Sequence, residues 1–193
     1  MKISLLIFVF AFLVNNIFAQ PLTGIKTIPG DYSTITEAIA GLNANGVGSG
    51  GVTFTIASGY TETFGSPVSG IITATGTSTN PVVFQKAGSG ADPVITAAAG
   101  TGTTDGIIIL AGSDYFTFDH ITLTENSGNN TNTTRMEWGF ALLKKQNTAP
   151  FDGCQHVVIK NCTITLNRSN TSSRGIYAGN HISSSTTPLA ITE

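Results

Sequence analysis

The chain opens with a largely apolar run, passes through one segment of helical period, and then alternates as short strands. In the helical segment Ile35, Ala38, Ile39 and Leu42 recur at i, i+3, i+4 and i+7, which builds one apolar stripe. Thr34 followed by Glu37 has the spacing of a capping box, and Asn45-Gly46 is a stop that tolerates left-handed backbone. The spacing predicts an amphipathic helix of about ten residues, too short to be stable unless it lies on something apolar.

The strand pattern begins with "VTFTI", where Val52, Phe54 and Ile56 alternate with Thr53 and Thr55. Further short apolar runs start at Gly70, Pro81, Pro93, Gly106, Tyr115, Gly139, His156 and Arg174, separated by Gly, Ser, Asn, Asp or Pro. Two of them share a layout. Phe116, Phe118, Ile121 and Leu123 match Val157, Ile159, Cys162 and Ile164 at a constant shift, 157 minus 116 being 41. Asp119-His120 and Lys160-Asn161 break each pair where the chain must turn a corner. Strand, corner, strand with inward apolar positions is what one coil of a parallel β-helix needs, each coil burying its interior against its neighbours. The fold expected is all-β, a right-handed parallel β-helix (a solenoid) with the amphipathic helix capping its first coil. The competing architecture is an antiparallel β-sandwich, which Thr-rich strands also suit.

The leading apolar run, Ile3 to Val14 behind Lys2, is followed by "IFA", which puts the small Ala19 just before Gln20. Residues 1–19 therefore read as a secretory signal peptide. The run is too short to span a bilayer core of ~30 Å, and no basic stop-transfer flank follows. Residues 20–30 read as a short entry segment and 31–193 as the N-terminal part of a β-helix domain. No capping pattern appears near "STTPLAITE", so either a longer protein or another cover for that end is expected. The expected location is secreted, extracellular or on the cell surface.

Composition sharpens this picture. Charged residues make up 10% of the chain, Gly numbers 22, and the net charge is −2. No basic run offers the electrostatic footprint of a nucleic-acid partner. Cys154 and Cys162 lie eight positions apart across a predicted strand. An extended strand would hold them ~26 Å apart at ~3.3 Å per residue, whereas a disulfide needs Cα atoms within ~7 Å. They are expected to be unpaired and buried. Scarce His and the lack of a Cys-x-x-Cys pair give no zinc site, and no cofactor or metal is expected.

Several residues offer candidate chemistry. Arg135, Glu137 and Trp138, read as a long excursion, are candidates for carbohydrate contact, the lone Trp as a stacking ring. The competing reading makes Trp138 a packing anchor. Asp119 and His120 could be an acid–base pair beside a saccharide, or a corner dipeptide bonded to local backbone. Asp114 and His156 carry the same two readings. "GVGSGG" fits G-x-G-x-x-G, but it follows a helix and precedes a strand, the reverse of nucleotide-binding order, and reads as a connector.

"GDYSTITEAIAGLNANG", with Asp31-Tyr32, Thr34-Ile35 and Glu37-Ala38-Ile39, followed by Gly59-Tyr60-Thr61-Glu62, resembles the N-terminal cap and first coil of pectin methylesterases. The wider pectin-lyase-like right-handed β-helix group, including secreted bacterial surface proteins, is similar over roughly residues 27 to 180. "GTSTNPVVFQKAG", "DYFTFDHITLT" and "CQHVVIKNCTI" look like its coils. The resemblance implies the fold. It implies no catalytic residue, because the esterases' Gln-Asp-Thr-Leu and Asp-Phe-Ile-Phe-Gly stretches are missing from the sequence. The expected function is a non-catalytic secreted or cell-surface module for adhesion or carbohydrate contact, its partner a polysaccharide or cell-surface glycan. The alternatives are a fragment of a pectin esterase or lyase, and a structural spacer.

Overall fold

The computed structural model describes residues 20–185, so the signal-peptide expectation for 1–19 lies outside the described residues. The elements in order are β1 (Leu22–Ile28), α1 (Ile35–Asn45), β2 (Val47–Ile56), β3 (Thr61–Thr63), β4 (Ile71–Ile72), β5 (Val82–Lys86) and β6 (Val94–Thr96). They continue with β7 (Gly106–Ala111), β8 (Phe116–Asp119), β9 (Thr122–Thr124), β10 (Trp138–Leu143), β11 (Val158–Lys160), β12 (Thr163–Thr165) and β13 (Arg174–Ala178).

The strands form three parallel sheets. The first has the order β1-β2-β5-β8-β11, the second β3-β6-β9-β12 and the third β4-β7-β10-β13. From β2 onward each strand pairs with the strand three places later, so the chain visits the sheets in rotation and returns to each one layer further on. Every pairing of named strands is parallel, which is at odds with the antiparallel sandwich. The shift of 41 appears as register, with Ile159 beside Phe118 and Ile164 beside Leu123. The corners repeat with it. Tyr115, His120, His156 and Asn161 all have left-handed backbone, with φ of 55°, 57°, 53° and 54°. Each pair of corners brackets one short strand of the first sheet.

The core is a set of columns running across the layers. Phe54, Phe84 and Phe118 are in register and nearly parallel, with centroids 4.4 Å and 5.6 Å apart. Burying such rings supplies the main stabilisation, about 1.5–3 kcal/mol for each large side chain.

Helix α1 lies against one end of this stack and buries its whole stripe, Ile35, Ala38, Ile39 and Leu42. Thr34 caps it, its hydroxyl accepting from the Glu37 N–H at 3.0 Å. The Glu37 carboxylate accepts from the Ser33 N–H at 2.9 Å, one residue outside the usual reciprocal bond. The remaining donors of the first turn belong to Ile35 and Thr36, and both are met by Glu62 of β3, at 2.6 and 3.1 Å. At the other end Asn43 donates to the Ile71 carbonyl at 2.8 Å and accepts from the Thr73 N–H at 2.8 Å. The helix is thus fastened to the second and third sheets by polar side chains. It ends at Gly46, whose φ of 69° needs glycine's freedom.

Three expectations require correction. The entry segment is strand β1, paired with β2. Trp138 opens strand β10 and does not sit on an excursion. Cys154 and Cys162 are free, as read, but half-buried. Their thiols meet backbone carbonyls, Cys154 reaching Leu110 O at 3.3 Å and Cys162 reaching Lys160 O at 3.2 Å. Burial pushes both thiols above their ordinary range.

Candidate functional site

The long connection from β9 to β10 is organised by carboxylates and asparagines. Glu125 accepts from the Asn129 amide at 2.6 Å and from the Met136 N–H at 2.9 Å, which folds the connection back on itself. One layer further on, Asn167 and Asn170 repeat Asn126 and Asn129 at the same shift of 41. In both copies the first Asn accepts from a backbone N–H two residues ahead, at 2.9 Å. In both copies the second Asn's N–H closes back on the first one's carbonyl. These are Asx turns stacked on successive layers.

The second copy meets Glu137. Its Oε1 accepts from the Asn170 amide at 2.8 Å and its Oε2 from the Asp105 N–H at 3.0 Å. The residue is only 3% exposed. Burial holds its carboxyl above the usual carboxylate range, against those two hydrogen bonds. Glu137 borders a cavity of about 180 Å³ lined by Thr103, Asn132, Ser169, Asn170, Thr171 and Ser172. Apart from Glu137, every lining side chain is a hydroxyl or an amide. Arg135 braces the rim, donating to the Asn130 carbonyl at 2.7 Å and to Asn132 Oδ1 at 3.2 Å. Its Nε is buried without a partner. Arg135 thus reaches the cavity through Asn132 and lies outside its lining.

Trp138 is not part of that place. It is 4% exposed and lies flat on Tyr177, centroids 4.5 Å apart and planes 3° apart, with His181 beside it. It packs with Ile109, Ala141 and Leu143 in a second apolar cluster. A ring so covered has no face for a sugar, and the packing reading replaces the stacking one.

Asp119 and His120 occupy a separate corner at the end of β8. Asp119 Oδ1 meets His120 Nδ1 and the Asn161 amide, each at 2.8 Å, and Oδ2 meets Lys160 Nζ at 3.2 Å. The Asn161 bond, opposed by desolvation, holds the Asp119 carboxyl below its ordinary range. These partners belong to the corner itself and its neighbour in the next layer. Among the described residues no hydrogen bond joins this group to Glu137. Asp114 and His156 are likewise at corners: Asp114 Oδ1 accepts from the Gln155 N–H at 2.6 Å, and His156 stacks on Tyr115 at 4.3 Å.

Asp105 approaches Glu137 through its backbone, but its carboxylate points into its own loop, where Oδ2 accepts from the N–H groups of Thr101 and Gly102, both at 2.7 Å. Asp105 lines a different cavity, beside Val68 and Ile109. Among the described residues no group of three or more His, Cys, Asp or Glu could hold a metal ion, and no helix is long and apolar enough to cross a membrane. The residues that sequence reasoning missed are Thr103, Asn132, Ser169, Asn170, Thr171 and Ser172. The Asn-x-x-Asn repeat at 126 and 167 was the available signal.

No family model, curated protein or solved structure matches the chain.

Proposed function

We propose that this chain is a secreted or cell-surface module of the right-handed parallel β-helix type, capped by α1, that contacts carbohydrate without turning it over. The rotation of strands through three parallel sheets supports the solenoid. Its last layer leaves the inward Ile176 55% exposed, a face suited to packing against further apolar surface.

The observation that carries the binding reading is the Glu137 cavity. Its lining of hydroxyls and amides suits sugar hydroxyls, each able to donate and accept. The buried carboxylate accepts two such bonds already and has lone pairs for more. A sugar hydroxyl donating to Glu137 favours the ionised form, so binding strengthens as pH rises through that carboxyl's raised range. Among the described residues that line this cavity Glu137 is the one carboxylate, Asp105 lining another, whereas paired acid–base chemistry would call for a second.

The test is an array of neutral and acidic glycans probed with the full chain, Asn170→Ala and Glu137→Gln. Binding that both substitutions weaken about tenfold or more is expected, one to two lost hydrogen bonds being worth about 1.5–3 kcal/mol at a charged acceptor. Binding to no glycan would leave the spacer reading. Release of product from a bound polysaccharide would overturn the non-catalytic one.

A further inference from the structure

The second sheet carries a pattern on its outward face that the Glu137 cavity does not explain. Three of its four strands read Thr-x-Thr: Thr61 and Thr63 in β3, Thr122 and Thr124 in β9, Thr163 and Thr165 in β12. The fourth, β6, places Val94 and Thr96. The register aligns them in two straight columns across the sheet without a shift. Seven of eight outward positions are therefore threonine. All eight are at least partly exposed.

The other sheets do not share this. In the first sheet the outward column includes Gln85, Asp119 and Lys160. In the third, Ile109 and Ala141 share a buried apolar cluster with Trp138, and Tyr177 packs against it. Loop threonines spend their hydroxyls locally, as Thr101 does on Asp105 and Thr131 on Thr134. Among the described residues the array hydroxyls make one such bond, a long 3.5 Å contact from Thr124 to the Glu125 carbonyl. The rest are left to an external partner.

Branching at Cβ stiffens threonine's χ1, so methyl and hydroxyl are held in place before anything binds. Neighbouring strands lie ~4.8 Å apart, and alternate residues along a strand roughly 6.6 Å apart. A partner that matches this grid must be uncharged, regular in two dimensions and rich in hydrogen-bonding groups. The face has no aromatic ring for a sugar to stack on and no charge for an acidic polymer. Its spacing across the strands lies close to one oxygen repeat on the prism faces of hexagonal ice, and its spacing along them is somewhat shorter than the other. We infer that the outward face of the second sheet is an ice-binding surface.

The experiment freezes a dilute solution of the full chain slowly onto a cold ice surface and follows recrystallisation of fine-grained ice in parallel. The chain is expected to enter the ice fraction and to keep the grains small. Thr122→Lys puts a charge at the centre of the grid and should lose both effects. Thr117→Lys, outward in the first sheet on the same layer, should keep both. Thr163→Lys, on the exposed edge strand, should repeat the loss, which covers the case where Thr122→Lys does not fold by thermal melting. Exclusion of the unmodified chain from ice would overturn the inference. So would equal losses in Thr117→Lys, or capture on powdered cellulose or chitin that Thr122→Lys abolishes while partition into ice is unchanged.

Discussion

The two ends of the stack are built from the same columns and finished differently. One column of the third sheet runs from Ile108 through Phe140 to Ile176, strand by strand. Ile108 is 1% exposed, Phe140 0% and Ile176 55%. At the α1 end the corresponding problem is solved by an apolar stripe facing inward and by Glu62, Thr34 and Asn43 meeting the helix's loose backbone groups. At the β13 end no such device stands over Ile176 among the described residues. Identical register therefore does not give identical burial. What separates the ends is whether something covers the layer, which is the general condition for stability in a stack whose units touch only their neighbours.

The sharpest way to test that contrast is within the one column. Phe140→Ala should cost about 3–5 kcal/mol, since it removes a fully buried ring and leaves a cavity. Ile176→Ala should cost about 1 kcal/mol or less, because more than half of that side chain is already in water. Urea denaturation midpoints of the two variants measure the difference. Equal costs would mean that the β13 layer is covered in solution, and the contrast between the ends would fall.

The next effect concerns how the closed end is fastened. Glu62→Ala strands the N–H groups of Ile35 and Thr36 in a partly buried site and removes a negative charge from the helix N-terminus. Together these should cost about 2–3 kcal/mol. Thr34→Ala removes one exposed cap and should cost about 1 kcal/mol. Far-UV circular dichroism during denaturation would register both. If Thr34→Ala proved the more damaging, the helix would be held by its own cap and not by the second sheet.

The same contrast explains what could be read in advance. The helix was legible because its stripe, cap and stop sit within seventeen residues, each obeying a local rule. The shift of 41 was legible because both copies keep the same corners. The Phe54–Phe84–Phe118 column was not, because its spacings are 30 and 34 residues, set by connections of unequal length. Strand β1 was hidden because Gly24 interrupts it at an irregular register and Ile25 faces solvent at 71% exposure. Trp138 misled because polar residues precede it for many positions, although its strand begins at the Trp itself. The Glu137 cavity depends on Asn170, 33 residues away, and only the stacking of layers brings the two together.

The smallest effect lies at the corner shared by two layers. Asp119 is held below its ordinary range first by the Asn161 amide, with Lys160 and His120 adding to it. Its folded-state carboxyl is thus depressed relative to the unfolded chain. The stability it contributes is present above the ordinary Asp range and is lost as pH falls through the lowered folded value. Asn161→Ala removes the leading cause and should move the Asp119 carboxyl back upward, so that this acid-side loss begins at higher pH. Following the Asp119 side-chain carbon by NMR through the titration measures the shift directly. Asn161 also holds a left-handed corner at φ 54°, so Asn161→Gly is the second variant, keeping the backbone and deleting the amide. If Asp119 titrates unchanged in both, the corner is held by its own layer alone, and the link between layers runs through the sheet hydrogen bonds and the apolar columns.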